Sequence, residues 1–200
     1  MADIKLFNKW STEDIEVKDS GLKPYISLVP QLIPRTDGRF NKKQFWKSKQ
    51  NIVERFINKL MGVTGHEGKH HKATSGRNSG KSLKVMGIVE QAFMVLEEKT
   101  KKNPVEILVR AIENAAPACE ITAVEYGGIR RPMPVDISPQ RRVDLALRFL
   151  THGAFNRSFR QKTSLVNGIV GELLAAYNND IKCYSIGKKE NLERQALASR

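Results

Sequence analysis

Apolar residues recur every three to four positions along most of the chain, broken by stretches with no period and by one stretch that alternates. From Gln44 to Met61, Val53, Phe56, Ile57 and Leu60 fall on one face, with Phe45, Ile52 and Lys59 on another stripe, and the pattern predicts a first helix with Phe45 packed in the core. From Ser82 to Lys99, a second face is formed by Val85, Ile88, Val89, Ala92, Phe93 and Leu96. A third helix opens on Asn103-Pro104-Val105-Glu106, a capping residue followed by proline at the first helical position. It buries Leu108, Ala111, Ile112 and Ala115, and Pro117 ends it. Ser138-Pro139 repeats that start signal for a fourth helix through Leu150, with Val143, Ala146, Leu147 and Leu150 inward. A fifth spans roughly Lys162 to Asn178, where Gly168 and Gly171 admit a close neighbour. A short polar helix from about Lys188 to Ser199 closes the chain.

Between the third and fourth helices the period changes to two. Residues 121–137 read as two strands joined at Gly127-Gly128, a β-hairpin with a two-residue turn. Pro132 and Pro134 put their missing N–H groups on one side of the second strand, which must be the side away from the first. Residues 1–40, punctuated by Pro24, Pro30 and Pro34, have weak periodicity and read as an extended N-terminal arm. Residues 62–81, with Gly65, Gly68, Gly76 and Gly80 among lysines and histidines, read as a flexible basic loop. The expected architecture is mainly α: a bundle of about six helices over residues 41–200, with a projecting hairpin and the arm.

Charge narrows the partner. The formal net charge is +13 over 200 residues, and it is sorted: net −1 over residues 1–38, +10 over 39–84, −2 over 85–120 and +6 over 121–200. Solubility does not require such blocks, whereas a polyanionic surface does favour them. Cys119 and Cys183 are isolated thiols with no CxxC spacing, compatible with a reducing compartment and giving no disulfide framework. Ala2-Asp3-Ile4-Lys5 opens with charge and no apolar run follows, so neither a signal peptide nor a membrane partner is expected.

Arg130 and Arg131 lie on the second hairpin strand, and Arg141 and Arg142 in the first turn of the fourth helix. Cations there oppose the helix dipole by about 0.3–1 kcal/mol each, a placement that makes sense where guanidinium forks and backbone N–H groups meet phosphate. The alternative is a solvated face with Arg148 paired to Asp144. Arg39, Lys42, Lys43, Lys47 and Lys49 are interleaved with Phe40, Phe45 and Trp46, which suits a strand of RNA with unpaired bases to stack.

Two enzyme-like patterns carry little. His66-Glu67-Gly68-Lys69-His70 has zinc-hydrolase spacing but sits in a glycine-bearing polar loop without a third ligand. Gly80-Lys81-Ser82 imitates the end of a phosphate loop, but Gly76 is misplaced and no apolar strand precedes it. No acidic cluster suggests a nuclease. Neither enzyme activity, metal nor cofactor is expected.

Pro134-Val135-Asp136-Ile137-Ser138-Pro139-Gln140-Arg141-Arg142 and the apolar helix after it resemble the hallmark of the universal small-subunit ribosomal protein seven family. Asn51 to Met61 resembles its first helix, and Gly80-Lys81-Ser82, Asn103-Pro104 and Lys188 to Arg194 fall in its order. The opening Asp3 to Ser11 looks like the eukaryotic branch. The resemblance implies a helical protein with a projecting hairpin that binds the 3′ major domain of small-subunit ribosomal RNA and nucleates the head of the subunit. It also implies cytoplasmic ribosomes as its location, and the nucleolus during assembly if the source is eukaryotic. The implied partners are ribosomal RNA, other head and platform proteins and, transiently, messenger RNA and exit-site transfer RNA. Carried over, Arg39, Lys42, Lys43, Lys49, Arg77, Lys81, Lys84, Arg141, Arg142, Arg148 and Arg157 would contact ribosomal RNA. Tyr126, Gly127, Gly128, Arg130 and Arg131 would lie near messenger and transfer RNA. Glu125 and Tyr126 stand where relatives are commonly basic, and the 63–75 segment is longer than the family usually has.

Overall fold

The computed structural model describes residues 4–62, 78–159 and 161–199. It contains six helices, α1 (Ile52–Gly62), α2 (Ser82–Thr100), α3 (Pro104–Ala115), α4 (Pro139–Ser158), α5 (Leu165–Tyr177) and α6 (Tyr184–Ala198). The strands β1 (Cys119–Tyr126) and β2 (Ile129–Asp136) form one antiparallel pair. This is the mainly helical architecture with a hairpin that the periodicity predicts.

Helix α5 is apolar on nearly every side and touches α2, α3, α4 and α6, the environment such a sequence requires. Its approach to α4 is set by glycine. A Cβ at Gly168 would lie 2.6 Å from the Ala154 carbonyl oxygen, so only hydrogen fits there. The inward faces read from sequence are buried in α1 (Val53, Phe56, Ile57, Leu60), α3 (Leu108, Ala111, Ile112, Ala115) and α4 (Val143, Ala146, Leu147, Leu150). The cap at α3 forms as expected, the Asn103 side chain accepting the Val105 N–H at 3.0 Å. Ser138 occupies the cap position of α4 but makes no side-chain cap hydrogen bond.

The start of α1 corrects the sequence reading. The helix begins at Ile52, not Gln44. Phe45 has φ +66°, outside the helical region, residues Trp46–Lys49 form a 3₁₀ turn, and Gln50 is extended. Asn51 then caps the helix, its Oδ1 accepting the Val53 N–H at 2.9 Å. With the register broken, Phe45 leaves the core stripe and is 61% exposed. Helix α4 runs two turns beyond Leu150, and α6 begins four residues before Lys188.

The N-terminal segment lies along the body. Leu6, Trp10, Leu22 and Ile26 are buried in the same cluster as the helices. The Trp10 indole N–H donates to Glu97 at 2.9 Å, and its ring meets Phe93 edge to face. Ile52 N–H donates to the Ser27 carbonyl, and the Asn51 amide to that of Val29, fixing this segment beside α1.

In the hairpin, Gly127 and Gly128 have φ +60° and +81°, as a two-residue turn of this hand demands. Tyr126 pairs with Ile129, Ala123 with Pro132 and Ile121 with Pro134. Counted outward from the turn, both prolines take positions whose N–H faces away from β1, so no ladder bond is lost. The exposed ribbon is anchored at its base, where α6 packs on both strands and Glu193 accepts the Ala118 N–H at 2.9 Å.

Candidate nucleic-acid interface

The basic residues of the 3₁₀ turn, α1 and α4 converge because α1 packs on α4. Asp144, one turn into α4, is the hub. One carboxylate oxygen accepts from Lys47 Nζ and the other from Arg55 Nη2 at 3.1 Å. Arg55 is 4% exposed, and its Nη1 donates to the Tyr25 carbonyl at 2.8 Å. Burial lowers the Arg55 pKa against the pull of Asp144. Burial also disfavours charge on Asp144, but hydrogen bonds and charges from Lys47 and Arg55 outweigh it and hold its pKa below the usual range. Lys59 titrates below an ordinary lysine chiefly because it is half-buried; Asp144 pulls the other way, and the charges of Arg148, Lys47 and Arg55 add to the lowering. Lys47, Arg55, Lys59 and Arg148 outnumber Asp144 here, which favours an approaching anion.

Arg148 is exposed and makes no ion pair among the described residues. The expected Arg148–Asp144 pair does not form, because Lys47 and Arg55 occupy that carboxylate. Arg141 instead grips Glu120 of β1 through two parallel bonds of 2.6 and 2.8 Å. Arg142 donates to the Pro117 carbonyl at 3.1 Å and to Asp19 at 3.0 Å. The arginine pair at the start of α4 thus ties the helix to the hairpin base and the N-terminal segment. That explains cations at a helix N-terminus by a route the sequence reading did not weigh. Arg141 keeps part of its fork at the surface, its side chain 54% exposed.

The aromatic block divides unexpectedly. Lys43 and Lys49 place their amines 5.1 and 5.4 Å from the centre of the half-buried Trp46 ring. Phe45 projects into solvent, while Phe40 is partly buried. Arg39, Lys42, Lys43 and Lys49 are all exposed, so this corner offers cations, an indole already in contact with amines and a free phenyl ring.

Elsewhere the predicted residues are dispersed. Arg157 donates to the buried Glu172 at 2.8 Å, and that carboxylate also accepts from the Ser185 N–H and hydroxyl. Arg157 is therefore part of a buried junction as well as being partly exposed. Lys81 is exposed at the start of α2. Lys84 lies in an open cleft with Phe155 and Phe159, whose rings stack at 5.2 Å. On the hairpin, Arg130 reaches Glu125 at 3.4 Å, both groups well exposed, and Arg131 is exposed. Arg77, the loop histidines His66, His70 and His71, and the Tyr126 side chain lie outside the described residues.

Sequence reasoning missed Arg55, Lys59 and Glu54. The signal was a charged pair, Glu54-Arg55, set inside the apolar run from Ile52 to Ile57. All three line an open groove of about 510 Å³ between the N-terminal segment and helices α1 and α4.

Two comparisons bear on this surface. The family model for ribosomal protein S7p/S5e matches residues 22–200. A small ribosomal subunit protein uS7 from Nanoarchaeum equitans (strain Kin4-M) is 46% identical over 197 residues, covering 98% of this chain and 99% of that protein. Such coverage takes in most of residues 1–21, which the family model leaves out.

Proposed function

The chain belongs to the ribosomal protein S7p/S5e family, and from that premise we propose that it binds the 3′ major domain of small-subunit ribosomal RNA and nucleates the head of the subunit. The coarser statement stands on the family itself: this is a structural constituent of the small ribosomal subunit, in a family that is not one of enzymes. The observation that carries the finer reading is that Lys47 and Arg55 bond Asp144 on the α1–α4 face while Lys59 and Arg148 stand near them with no ion pair among the described residues. Such a face recognises phosphates by position and charge. Double-stranded RNA hides its major-groove edges, so shape and backbone contacts dominate over base readout.

In this reading Arg39, Lys42, Lys43, Lys49, Lys81, Lys84 and Arg148 meet RNA backbone, as does Arg77. Arg141, Arg142 and Arg157 have a double part, bracing the fold and offering their remaining N–H groups to phosphate. The hairpin, with Tyr126, Gly127, Gly128, Arg130 and Arg131, lies near the messenger RNA exit path and exit-site transfer RNA. Its exposure and two-stranded isolation support this, since such a ribbon waits for a surface to lie against. Other head and platform proteins are its neighbours, and cytoplasmic ribosomes its location, with a nucleolar stage if the source is eukaryotic.

The test is a titration of the purified chain with a transcript of the 3′ major domain and with duplex DNA of equal length. The reading predicts tighter binding to the RNA, falling steeply with salt. Equal affinity for both would favour a general DNA- or RNA-binding protein instead.

A further inference from the structure

Glu54 presents a problem of pairing. It is 4% exposed, and its Oε1 accepts two hydrogen bonds from Thr36, from N–H at 2.8 Å and from the hydroxyl at 2.7 Å. Its Oε2 is buried and has no partner among the described residues. A buried carboxylate oxygen left without a donor is costly. Glu54 lines both the α1–α4 groove and a narrow slot of about 20 Å³ that runs beside Asn58 and Ser82. That room admits one water-sized group.

The groove's lining carries Arg35, Lys47, Arg55 and Lys59 against Asp37, Glu54 and Asp144, with Arg35 paired to Asp37. Lys59 has no ion pair among the described residues and is crowded by Arg148, Lys47 and Arg55. The occupant must therefore bring an N–H donor to Glu54 and negative charge to Lys59. A lysine or arginine from a protein partner supplies the donor but is repelled by Lys59. A simple anion satisfies Lys59 and leaves Oε2 to a water in the slot. A nucleotide with an exocyclic amine does both, and the groove's 510 Å³ is the size class of small-ligand sites.

We propose that this groove receives one unstacked nucleotide of the bound RNA, its phosphate at Lys59 and the amine of its base donating to Glu54 Oε2. The proposal rests on the RNA-binding reading above and deepens it: one position of the RNA is read as a base, within an interface otherwise read by shape. Selectivity comes from Glu54, because a base lacking the amine leaves the carboxylate oxygen unpaired.

The experiment uses the ¹⁵N-labelled full chain, titrated separately with adenosine 5′-monophosphate, purine riboside 5′-monophosphate and ribose 5-phosphate. The purine riboside compound differs from the first only by the missing amine. Expected are amide shifts centred on Glu54, Asn58 and Lys59, and binding about tenfold tighter for the adenosine compound than for the other two. Glu54→Gln should erase that gap, because the Thr36 donors hold the amide oxygen and turn its NH₂ toward the slot. Lys59→Gln should weaken all three probes alike. Equal binding of the two purine compounds by the wild-type chain, shifts outside the groove, or a gap that survives Glu54→Gln would each overturn the proposal. The wild-type comparison needs no variant to fold. The affinity of the same sample for the 3′ major domain transcript reports on the broader reading separately.

Discussion

Asp144→Ala should unfold the protein more readily without weakening its attraction to RNA. The substitution strips the carboxylate that, among the described residues, is the only one bonded to Arg55, a guanidinium 4% exposed, and frees Lys47. Breaking a buried pair from one side costs about 3–5 kcal/mol, because the remaining charge is stranded. Asp144 retains 19% side-chain exposure, and Arg55 keeps its bond to the Tyr25 carbonyl, so the lower end, about 3 kcal/mol, applies. For a chain of 200 residues this corresponds to a melting temperature lower by about 6–12 °C. Urea unfolding followed by far-ultraviolet circular dichroism measures it. Because the folded state lowers the pKa of Asp144, its contribution is complete above the ordinary carboxylate range and is lost as pH falls through the lowered value. The wild-type and Asp144→Ala stability curves should therefore converge in acid. Replacing Arg55 and Asp144 together by Met and Leu should recover most of the loss. The variant face is one charge more positive, so non-specific RNA affinity holds or rises. A loss below about 1 kcal/mol, or a gap that does not narrow in acid, would refute the view of Asp144 as the hub.

Gly168→Ala should cost about 1–3 kcal/mol in the same unfolding assay, since its methyl would meet the Ala154 carbonyl at 2.6 Å. Glu120→Gln should weaken the hold of Arg141 on the hairpin base and raise amide exchange in residues 119–136, leaving the core protected. Cys183 is buried beside Glu172, and burial pushes its thiol pKa up. Iodoacetamide at pH 8 should therefore label the half-buried Cys119 first, with Cys183 reacting after denaturation. Phe45→Ala should leave the melting temperature within about 1 °C, since the ring is 61% exposed, and should weaken RNA binding if the ring stacks on bases.

Much of the fold is written locally and could be read. The Asn103-Pro104 start of α3, the Gly127-Gly128 turn and the inward faces of α3 and α4 each depend on residues within a few positions of one another. The start of α1 was not legible. The left-handed Phe45 and the 3₁₀ turn after it stand where Lys47 reaches Asp144, 97 residues away, and no local propensity records that contact. The site divides in the same way. Sequence marks out guanidinium and amine groups in blocks as candidates, but not which of them are already engaged within the fold. The Arg141 fork is taken by Glu120, 21 residues earlier, and Arg142 by Asp19, 123 residues earlier. Glu54 escaped notice because a glutamate in an amphipathic helix reads as surface until the Thr36 backbone closes over it.

The central claim is that this cationic face belongs to a resident of the small subunit. Sedimentation of the tagged chain from its own cell lysate on a sucrose gradient, before and after a high-salt wash, tests it most directly. The account predicts co-migration with the small subunit that survives the wash, because a resident component is held by packing within the assembled particle as well as by the phosphate contacts that salt weakens in the two-component titration. A pool that stays near the top of the gradient, or that leaves the subunit at modest salt, would contradict it.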